Sequence, residues 1–353
     1  MSGLSSSTAA GLKQVARVLR ERDRFVVVGH VDPDLDSIGS ILGLTEALRS
    51  MGKQAVAVSP DPPPPGWSFL PGFEGLAVGA SVPFAPEVAV VLDTELSERR
   101  LGRSWSVVQQ ALLRVNVDHH DTNPGTAEVA VVEPRAAATG ELVFHLVREL
   151  EVPFRLPIAT ALYAAVLTDT GGFRFANTRA ETLRMAAELV DAGVVPWELA
   201  SRIYDSRPWS YLQLLGRLLC DMQRTEDGLV AWMALPQALV QASGLSHGEL
   251  EGLVQYPRMA EGVEVALLFR ELGPQLTRVS LRSKSAVDVS QVARRFGGGG
   301  HLHAAGCTVA APLEQAVRQV VQEARQACAQ LNARSGNGRL QAPDSAADRD
   351  GQR

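Results

Sequence analysis

The first half of the chain alternates short runs of β-branched residues with segments whose apolar residues recur at helical spacing. Four apolar runs lack strict alternation with polar residues, which is typical of parallel strands buried on both faces; they are FVVVGH, QAVAVSP, EVAVVLD and LLRVNVD. The segment SIGSILGLTEALRSMG has helical spacing and ends at Gly52, a residue suited to a helix C-terminus. The pattern predicts an α/β domain with a parallel, Rossmann-like sheet.

The pattern changes after Gly228, where LVAWMAL, EVALLFREL and TRVSLRS are typical of antiparallel strands with helices around them. These segments predict a second, smaller α+β domain. A helical stretch joins the two halves, and the chain ends in a polar segment rich in Gly, Ser and Asp. We therefore expect a first domain over 1–195, a helical linker over 196–224, a second domain over 225–331 and a disordered tail over 332–353.

Composition narrows the classes of protein that fit this pattern. A length of 353 residues with 46% hydrophobic residues suits two domains with real cores. The formal net charge of -5 argues against a broad basic surface for long nucleic acid. The three cysteines are far apart, which disfavours a disulfide framework or a thiolate zinc site. The N-terminus lacks a secretory signal and no stretch approaches the ~20 apolar residues of a membrane span, so we expect a cytoplasmic protein.

Carboxylates and histidines recur where the apolar segments end. The four clusters are His30 with Asp34 and Asp36, then Asp93, then Asp118 with His119 and His120, and finally Asp169. Ligands of open α/β sheets bind at the carboxyl ends of the strands, so these clusters can converge on one site. A single aspartate such as Asp36 is equally well explained as a helix cap, but four independent clusters favour a common site. His145 and His247 stand outside these clusters and are expected to be ordinary core or surface histidines.

The chemistry of the four clusters favours divalent cations. Carboxylates and imidazoles without a thiolate suit manganese or magnesium better than structural zinc. The four clusters contain more carboxylates than one ion needs. Two ions that share a carboxylate commonly activate a water molecule for attack on phosphorus. The cations would also neutralise clustered aspartates that otherwise repel one another.

Five segments, in this order, resemble the motifs of the DHH phosphoesterases and of their DHH-associated C-terminal domain: GHVDPDLDSIGS, VVLD, VDHHDTN, LTDTGGFRF and FGGGGHLHAAGC. Together they span about Arg24 to Cys307, most of the chain. The compact organisation resembles the NrnA-type branch, which degrades very short RNA and dephosphorylates adenosine 3′,5′-bisphosphate (pAp).

The resemblance implies roles for individual residues in the first domain. Two manganese ions per chain are expected, with magnesium as the alternative. The implied ligands are His30 and Asp34 for one ion, Asp36, His119 and Asp169 for the other, and Asp93 as a bridge between both. His120 would face the scissile phosphate, and Asp118 would orient the histidines from behind. Asp32 and Asp121 lie at positions to which the resemblance assigns no role.

The second domain is expected to bind the substrate. Four consecutive glycines can form a plain linker, but here they follow a helix and lead into His301, which favours a loop that approaches a phosphate. The expected substrate contacts are His120, Arg174, Arg258, Arg282, Ser283, Gly298, Gly299, Gly300 and His301. Two alternatives stay open, because Arg174 can instead pair with Glu181, and Tyr256 can pack in the core instead of stacking on a base. His303 is given no role.

The implied function is a manganese-dependent phosphoesterase. It would hydrolyse very short oligonucleotides (nanoRNA, dinucleotides) to mononucleotides and dephosphorylate pAp, with the second domain limiting substrate length. A phosphodiesterase for cyclic dinucleotides or linear pApA is the alternative. A pyrophosphatase fits the glycine loop less well, and a non-catalytic nucleotide-binding sensor is disfavoured because every metal position is filled. No membrane and no long duplex is expected as a partner, and a homodimer is left open.

Overall fold

The computed structural model describes residues 4–245, 250–284, 287–300 and 302–336. The chain divides into two compact units between Ser206 and Arg207. Each unit is built on a six-stranded sheet of its own. The division falls inside the stretch 196–224 for which the sequence predicts a helical linker. In the described part of the chain, no helix combines the length and apolar composition that a membrane span requires.

The sheet of the first unit is entirely parallel, with strand order β3-β2-β1-β4-β5-β6. Its strands are β1 (Arg24–Val28), β2 (Gln54–Ser59), β3 (Ala77–Val78), β4 (Val88–Leu92), β5 (Leu113–Asp118) and β6 (Val129–Val132). The four predicted apolar runs form the central strands, so the predicted α/β fold is confirmed. The edge strands β3 and β6 were not predicted, because two and four residues are too short to give a distinct pattern.

Helices cover both faces of this sheet. They are α1 (Ser6–Glu21), α2 (Leu35–Ser50), α3 (Glu98–Leu101), α4 (Trp105–Gln110), α5 (Thr139–Glu149), α6 (Leu156–Asp169), α7 (Ala180–Asp191) and α8 (Pro196–Ala200). Successive strand residues point to opposite faces. Phe25 and Val27 join the larger core with α1, α2, α5 and α6, whereas Val26 and Val28 join a smaller core with α3 and α4. Burial on both faces explains why these strands lack polar alternation.

Helix α2 is buried around most of its circumference, because it lies between the sheet and α6. Gly39 permits this close approach, since a Cβ at that position would overlap the carbonyl oxygen of Ala161 in α6. The packing brings the first turn of α2, which carries Asp36, beside the C-terminal end of α6, which carries Asp169. The helix pair therefore positions two of the carboxylates singled out in the sequence.

The second unit is built on a mixed sheet with strand order β11-β12-β10-β9-β8-β7. Its strands are β7 (Gln223–Arg224), β8 (Val230–Leu235), β9 (Val265–Gly273), β10 (Leu276–Ser283), β11 (Gly299–Gly300) and β12 (Ala304–Val309). The antiparallel type predicted for LVAWMAL and EVALLFREL is wrong where these segments meet, because β8 and β9 are parallel. Helices lie between these two strands in sequence, and such a crossover connection returns the chain in the same direction. The predicted antiparallel type is confirmed for EVALLFREL and TRVSLRS, because β9 and β10 are antiparallel.

The helices of the second unit are α9 (Trp209–Cys220), α10 (Gln237–Ser243), α11 (Gln255–Met259), α12 (Val289–Arg294) and α13 (Leu313–Gly336). Helix α9 and a π-helical turn at Ser201–Asp205 account for much of the predicted linker. Helix α13 continues to Gly336, so residues 332–336 are helical and do not belong to the predicted tail. The remainder of that tail, residues 337–353, lies outside the described residues.

Candidate metal centre and active site

Three neighbouring strands of the first sheet end at the same place. Strand β1 runs into His30, Asp93 directly follows β4, and Asp118 is the last residue of β5. Because β1, β4 and β5 are adjacent and parallel, their carboxyl ends meet at one edge. The start of α2 adds Asp34 and Asp36, and the end of α6 adds Asp169. The structure therefore brings the four sequence clusters together.

The converging side chains form three overlapping groups. In each group the candidate ligand atoms lie within 4.8 Å of one another. The groups are His30, Asp34 and Asp93; Asp93, His119 and His120; and Asp36, His119 and Asp169. Asp93 belongs to two groups through different oxygens, because its Oδ2 lies 3.3 Å from His30 Nε2 while its Oδ1 lies 3.6 Å from His119 Nε2. This is the arrangement expected of a carboxylate shared by two cations.

Backbone carbonyls fix the tautomers of His30 and His119. His30 Nδ1 lies 2.7 Å from the carbonyl oxygen of Val31, and His119 Nδ1 lies 3.3 Å from that of Ala136. A carbonyl oxygen only accepts, so in each ring Nδ1 carries the hydrogen. The lone pair is left on Nε2, the atom that points to the carboxylates. Metal-binding histidines are typically held this way.

His120 is held differently from His119. Its Nδ1 lies 2.7 Å from Asp118 Oδ1. Burial opposes ionisation of Asp118, but hydrogen bonds and charge from His120 and a hydrogen bond from Asn123 lower the pKa of this carboxyl to about 2. Asp118 is thus an acceptor, and His120 Nδ1 must carry a hydrogen. That nitrogen has no lone pair for a metal, so Nε2 is the His120 atom that can act on a substrate.

Asp118 is itself fixed by a buried network that was not foreseen from the sequence. Asn123 donates to Asp118 Oδ2 at 2.7 Å and to Asn116 Oδ1 at 2.8 Å. Asn116 is fully buried in β5 and donates to the carbonyl oxygens of Val91 and Thr94. A chain of hydrogen bonds therefore runs from the sheet through Asn123 and Asp118 to His120. The only sequence signal was a polar residue inside the otherwise apolar run LLRVNVD.

We expect Asn123→Ala to lower kcat on a dinucleotide roughly tenfold to a hundredfold, the usual effect of losing a group that orients a site residue. The manganese content should stay at the wild-type value, since the Asn123 side chain donates to Asp118, which belongs to none of the three candidate metal groups. Thr122→Ala, an exposed substitution in the same loop, is the matched control. An unchanged kcat in Asn123→Ala would show that this network does not contribute to the reaction.

Asp34 and Asp36 divide the capping and site roles in an unexpected way. The residue that caps α2 is Asp34, whose Oδ1 accepts from the backbone N–H of Ser37 at 2.9 Å. The capping alternative considered for Asp36 is therefore wrong. Asp36 is buried, and its two oxygens accept from the backbone N–H groups of Thr139 and Gly140 at 2.7 and 2.9 Å. These amides open α5, so the positive end of that helix stabilises the Asp36 carboxylate.

Asp93 is buried among the other carboxylates of the site. It is 1% exposed, and burial, followed by the charges of Asp36, Asp34, Asp118 and Asp169, raises the pKa of this carboxyl well above its ordinary value. Its backbone is left-handed, with φ at 64°. Without a cation, ionising Asp93 is unfavourable. The donor set, all oxygen and imidazole nitrogen, fits manganese or magnesium, and the repulsion gives a reason for cations to bind.

Thr139 is a further residue that sequence analysis missed. It is fully buried, and its hydroxyl donates to Asp93 Oδ1 at 2.9 Å. In the sequence it stands in ATGEL, which indicates only the start of a helix. No local pattern shows that the start of α5 faces the carboxylates of Asp93 and Asp36, which lie 46 and 103 residues away in the sequence.

Arg174 lies close in sequence to Asp169 but is exposed. Its Nε donates to the carbonyl oxygen of Gly171 at 2.6 Å. Glu181 pairs with Arg184, whose Nη1 lies 3.5 Å from Glu181 Oε1. The pairing of Glu181 with Arg174, which the sequence left open, is therefore not the one observed for Glu181. The contact of Arg174 with a substrate stays a prediction.

In the second unit, Arg282 and Ser283 end β10. Ser283 is buried, and its hydroxyl lies 3.0 Å from His303 Nδ1. Arg258 is half-buried in α11, and Tyr256 packs against the core that includes Tyr211, which confirms the alternative of core packing. His301 and His247 lie outside the described residues.

His145 is buried in α5, where burial and then Arg148 lower its pKa to about 4, as expected of a core histidine.

The glycines of FGGGG differ in what the fold demands of them. A Cβ on Gly298 would overlap the carbonyl oxygen of Gly306, and one on Gly300 would overlap that of Ala304, so β11 can lie against β12 only without these side chains. Gly300 also has φ at 143°, which L side chains rarely adopt. Among the residues that the structure describes, none other than its chain neighbours would lie within 4 Å of a Cβ on Gly299. Packing within the protein thus explains Gly298 and Gly300 but not Gly299.

The chain matches two family models and is similar in sequence to known proteins. The family model "DHH family, N-terminal domain" matches residues 24–166, and "DHHA1 domain" matches residues 235–330. The chain is 37% identical to the "Bifunctional oligoribonuclease and PAP phosphatase NrnA" of Thermus thermophilus, over 89% of this chain and 94% of that protein. It is 27% identical to the protein of the same name from Bacillus subtilis, over 84% of this chain and 92% of the relative.

A solved structure shares the whole fold. The crystal structure of an exopolyphosphatase-related protein from Bacteroides fragilis superposes with a TM-score of 0.86 at 25% sequence identity. The match covers 94% of this chain and 99% of the other. Both units described above therefore have counterparts in that protein.

Proposed function

Because the chain belongs to the DHH family, as its two matched domains and its 37% identity to a relative over 89% of its length show, we propose that it is a manganese-dependent phosphoesterase. Its proposed substrates are very short oligonucleotides, which it cleaves to mononucleotides, and pAp, from which it removes a phosphate. The relatives named oligoribonuclease and PAP phosphatase support this choice of substrates.

The observation that carries the proposal is the position of Asp93. Its two oxygens face His30 on one side and His119 on the other. We propose that two manganese ions would share Asp93, that His30 and Asp34 would complete the protein ligands of one ion, and that Asp36, His119 and Asp169 would complete those of the other. His120 is not among them, because the His120 atom that faces Asp93 is Nδ1, 3.7 Å from Asp93 Oδ1, and this nitrogen donates to Asp118. Bound there, the ions would offset the repulsion among the carboxylates, polarise the phosphate and activate a water for attack on phosphorus.

The residues of the chain prepare the phosphate for in-line attack. His120, with Asp118 holding its Nδ1–H, presents Nε2 and is free to share positive charge or a proton with a phosphate oxygen. Asp118 is ionised at neutral pH, and its carboxylate holds the Nδ1–H of His120 in place as negative charge develops on the phosphate. Asn116 and Asn123 keep this pair fixed, so little reorganisation is needed during the reaction.

We propose that the second unit supplies nucleotide recognition through Arg282, Ser283 and Gly299. Arg282 carries a forked, permanently charged donor suited to phosphate. Gly299 lies in an exposed two-residue strand, where glycine weakens pairing without a packing reason. A glycine that the fold does not need is explained by the close approach of a ligand to the backbone.

Gly299→Ala tests this proposal, because the protein itself has room for the added methyl group. We expect an unchanged melting temperature but a KM for a dinucleotide raised roughly tenfold, while KM for a small aryl phosphate ester stays constant. Gly216→Ala, in α9 with equally open surroundings, is the control. Equal KM values for Gly299→Ala and wild type would show that no ligand approaches Gly299.

A panel of unlabelled substrates with manganese, read by product mass, tests the function itself. A dinucleotide should give mononucleotides, pAp should give AMP, and a long single strand should stay intact. Cleavage of a cyclic dinucleotide in preference to both would favour the alternative of a cyclic dinucleotide phosphodiesterase. Hydrolysis of pyrophosphate alone would point to a pyrophosphatase, and manganese binding without any turnover would identify a sensor.

A further inference from the structure

The first turn of α5 holds both buried carboxylates of the metal centre through one residue. The backbone N–H of Thr139 donates to Asp36 Oδ2 at 2.7 Å, and its hydroxyl donates to Asp93 Oδ1 at 2.9 Å. Gly140 adds a second backbone donor to Asp36 at 2.9 Å. Asp36 and Asp93 come from different parts of the chain, so Thr139 sets the position of one relative to the other.

The local needs of α5 do not explain the hydroxyl of Thr139. Threonine at the residue before a helix caps it with its side chain, but here that position is Ala138, which makes no such bond. One residue later, threonine is a poorer helix former than alanine, and its buried hydroxyl is costly unless it is hydrogen-bonded. Its hydrogen-bond partner is the buried carboxylate of Asp93. The hydroxyl therefore serves Asp93.

We infer that Thr139 is a positioning residue, which fixes the rotation of the Asp93 carboxylate and so sets manganese affinity at the shared position. The inference rests on the proposed function, since it takes the cations to be those of that centre. A hydroxyl donor on Oδ1 holds this oxygen beside His119 Nε2 and His120 Nδ1, at 3.6 and 3.7 Å, and leaves Oδ2 beside His30 Nε2 at 3.3 Å. Without the donor the carboxylate is free to rotate, and its oxygens are no longer matched to two separate ions.

Three variants of the full-length chain separate this role from a structural one. Thr139→Val replaces the hydroxyl with a methyl group of similar size, while Thr139→Ser keeps the donor and loses the methyl group. The matched control is Thr182→Val, because Thr182 is another fully buried threonine, whose hydroxyl donates to the buried carboxylate of Glu141 at 3.0 Å. Metal-stripped protein is titrated with manganese and followed by electron paramagnetic resonance, and kcat and KM on a dinucleotide are measured at fixed manganese.

Thr139→Val should bind at least one manganese ion about tenfold more weakly, as expected for a lost hydrogen bond to a charged group. Its kcat should fall while its KM stays near wild type, and Thr139→Ser should resemble wild type in both. Thr182→Val should have a lower melting temperature than wild type but the same manganese affinity. Wild-type affinity in Thr139→Val, or equal losses in the valine and serine variants, would overturn the inference.

The titration also keeps this inference distinct from the proposed function. Manganese binding is read without turnover, so a wild-type chain that binds manganese but hydrolyses nothing would contradict the function and leave the role of Thr139 measurable. The opposite result, an active enzyme whose valine variant binds manganese normally, would contradict the role of Thr139 alone.

Discussion

Asp93→Asn should lower kcat on a dinucleotide by about 10³-fold or more, which corresponds to about 4 kcal/mol of transition-state stabilisation. The physical reason is that Asp93 faces two groups of candidate ligands with two different oxygens. Asparagine keeps one oxygen and loses the charge, so neither proposed ion is held as before. Elemental analysis should find fewer than two manganese ions per chain. Two bound ions together with a near wild-type rate would remove Asp93 from the centre.

Asparagine is a better replacement here than alanine. Asp93 has φ at 64°, a left-handed conformation in which asparagine and aspartate are enriched. Alanine would add backbone strain to the loss of the carboxylate, and a fall in activity would then have two causes. The amide of asparagine also accepts from the hydroxyl of Thr139, so that contact is kept.

The same variant has a second signature in the metal-free protein. Burial and neighbouring carboxylates raise the pKa of Asp93 in the folded state, so its contribution to stability is present at low pH and is lost as pH rises above the ordinary 3.8 through the raised pKa. In EDTA, wild type should therefore become less stable relative to Asp93→Asn as the pH increases, as measured by urea unfolding. A difference in unfolding free energy that does not change with pH would contradict this account of the site.

His120→Ala should lower kcat by roughly 10²- to 10⁴-fold, the range typical of a general acid or base. The manganese content should not change, because the His120 atom that faces Asp93 is Nδ1, which donates to Asp118 and has no lone pair for a metal. His119→Ala is the matched comparison, since His119 Nε2 points to Asp36, Asp93 and Asp169. If both variants lose metal to the same extent, the division of roles between the two histidines is wrong.

The convergence of the candidate metal ligands was predictable from the sequence because these residues lie at the ends of segments whose type is locally encoded. Apolar runs predicted β1, β4 and β5, and parallel strands bring their ends together. The resemblance to the DHH phosphoesterases added the expected roles. Residues that support the site were not predictable, because Thr139, Asn116 and Asn123 act through contacts with distant parts of the chain. Their local patterns indicate only a helix start, a strand and a turn.

The second unit shows the limits of local patterns more clearly. The sequence pattern predicted the strands β8, β9 and β10, but the parallel pairing of β8 with β9 depends on how the chain between them crosses over. The glycine run could not be divided by sequence into residues that the fold requires and those it does not. Only the pairing of β11 with β12 shows that Gly298 and Gly300 have no room for a side chain, whereas Gly299 has.

Two manganese ions, shared through Asp93, are proposed to allow this chain to hydrolyse very short oligonucleotides. The most direct test is to strip the protein with EDTA, add manganese back stepwise, and follow dinucleotide hydrolysis against the number of ions bound per chain. We expect no turnover in the stripped protein and full activity only after the second ion has bound. Turnover in EDTA, or full activity with one ion per chain, would contradict the account.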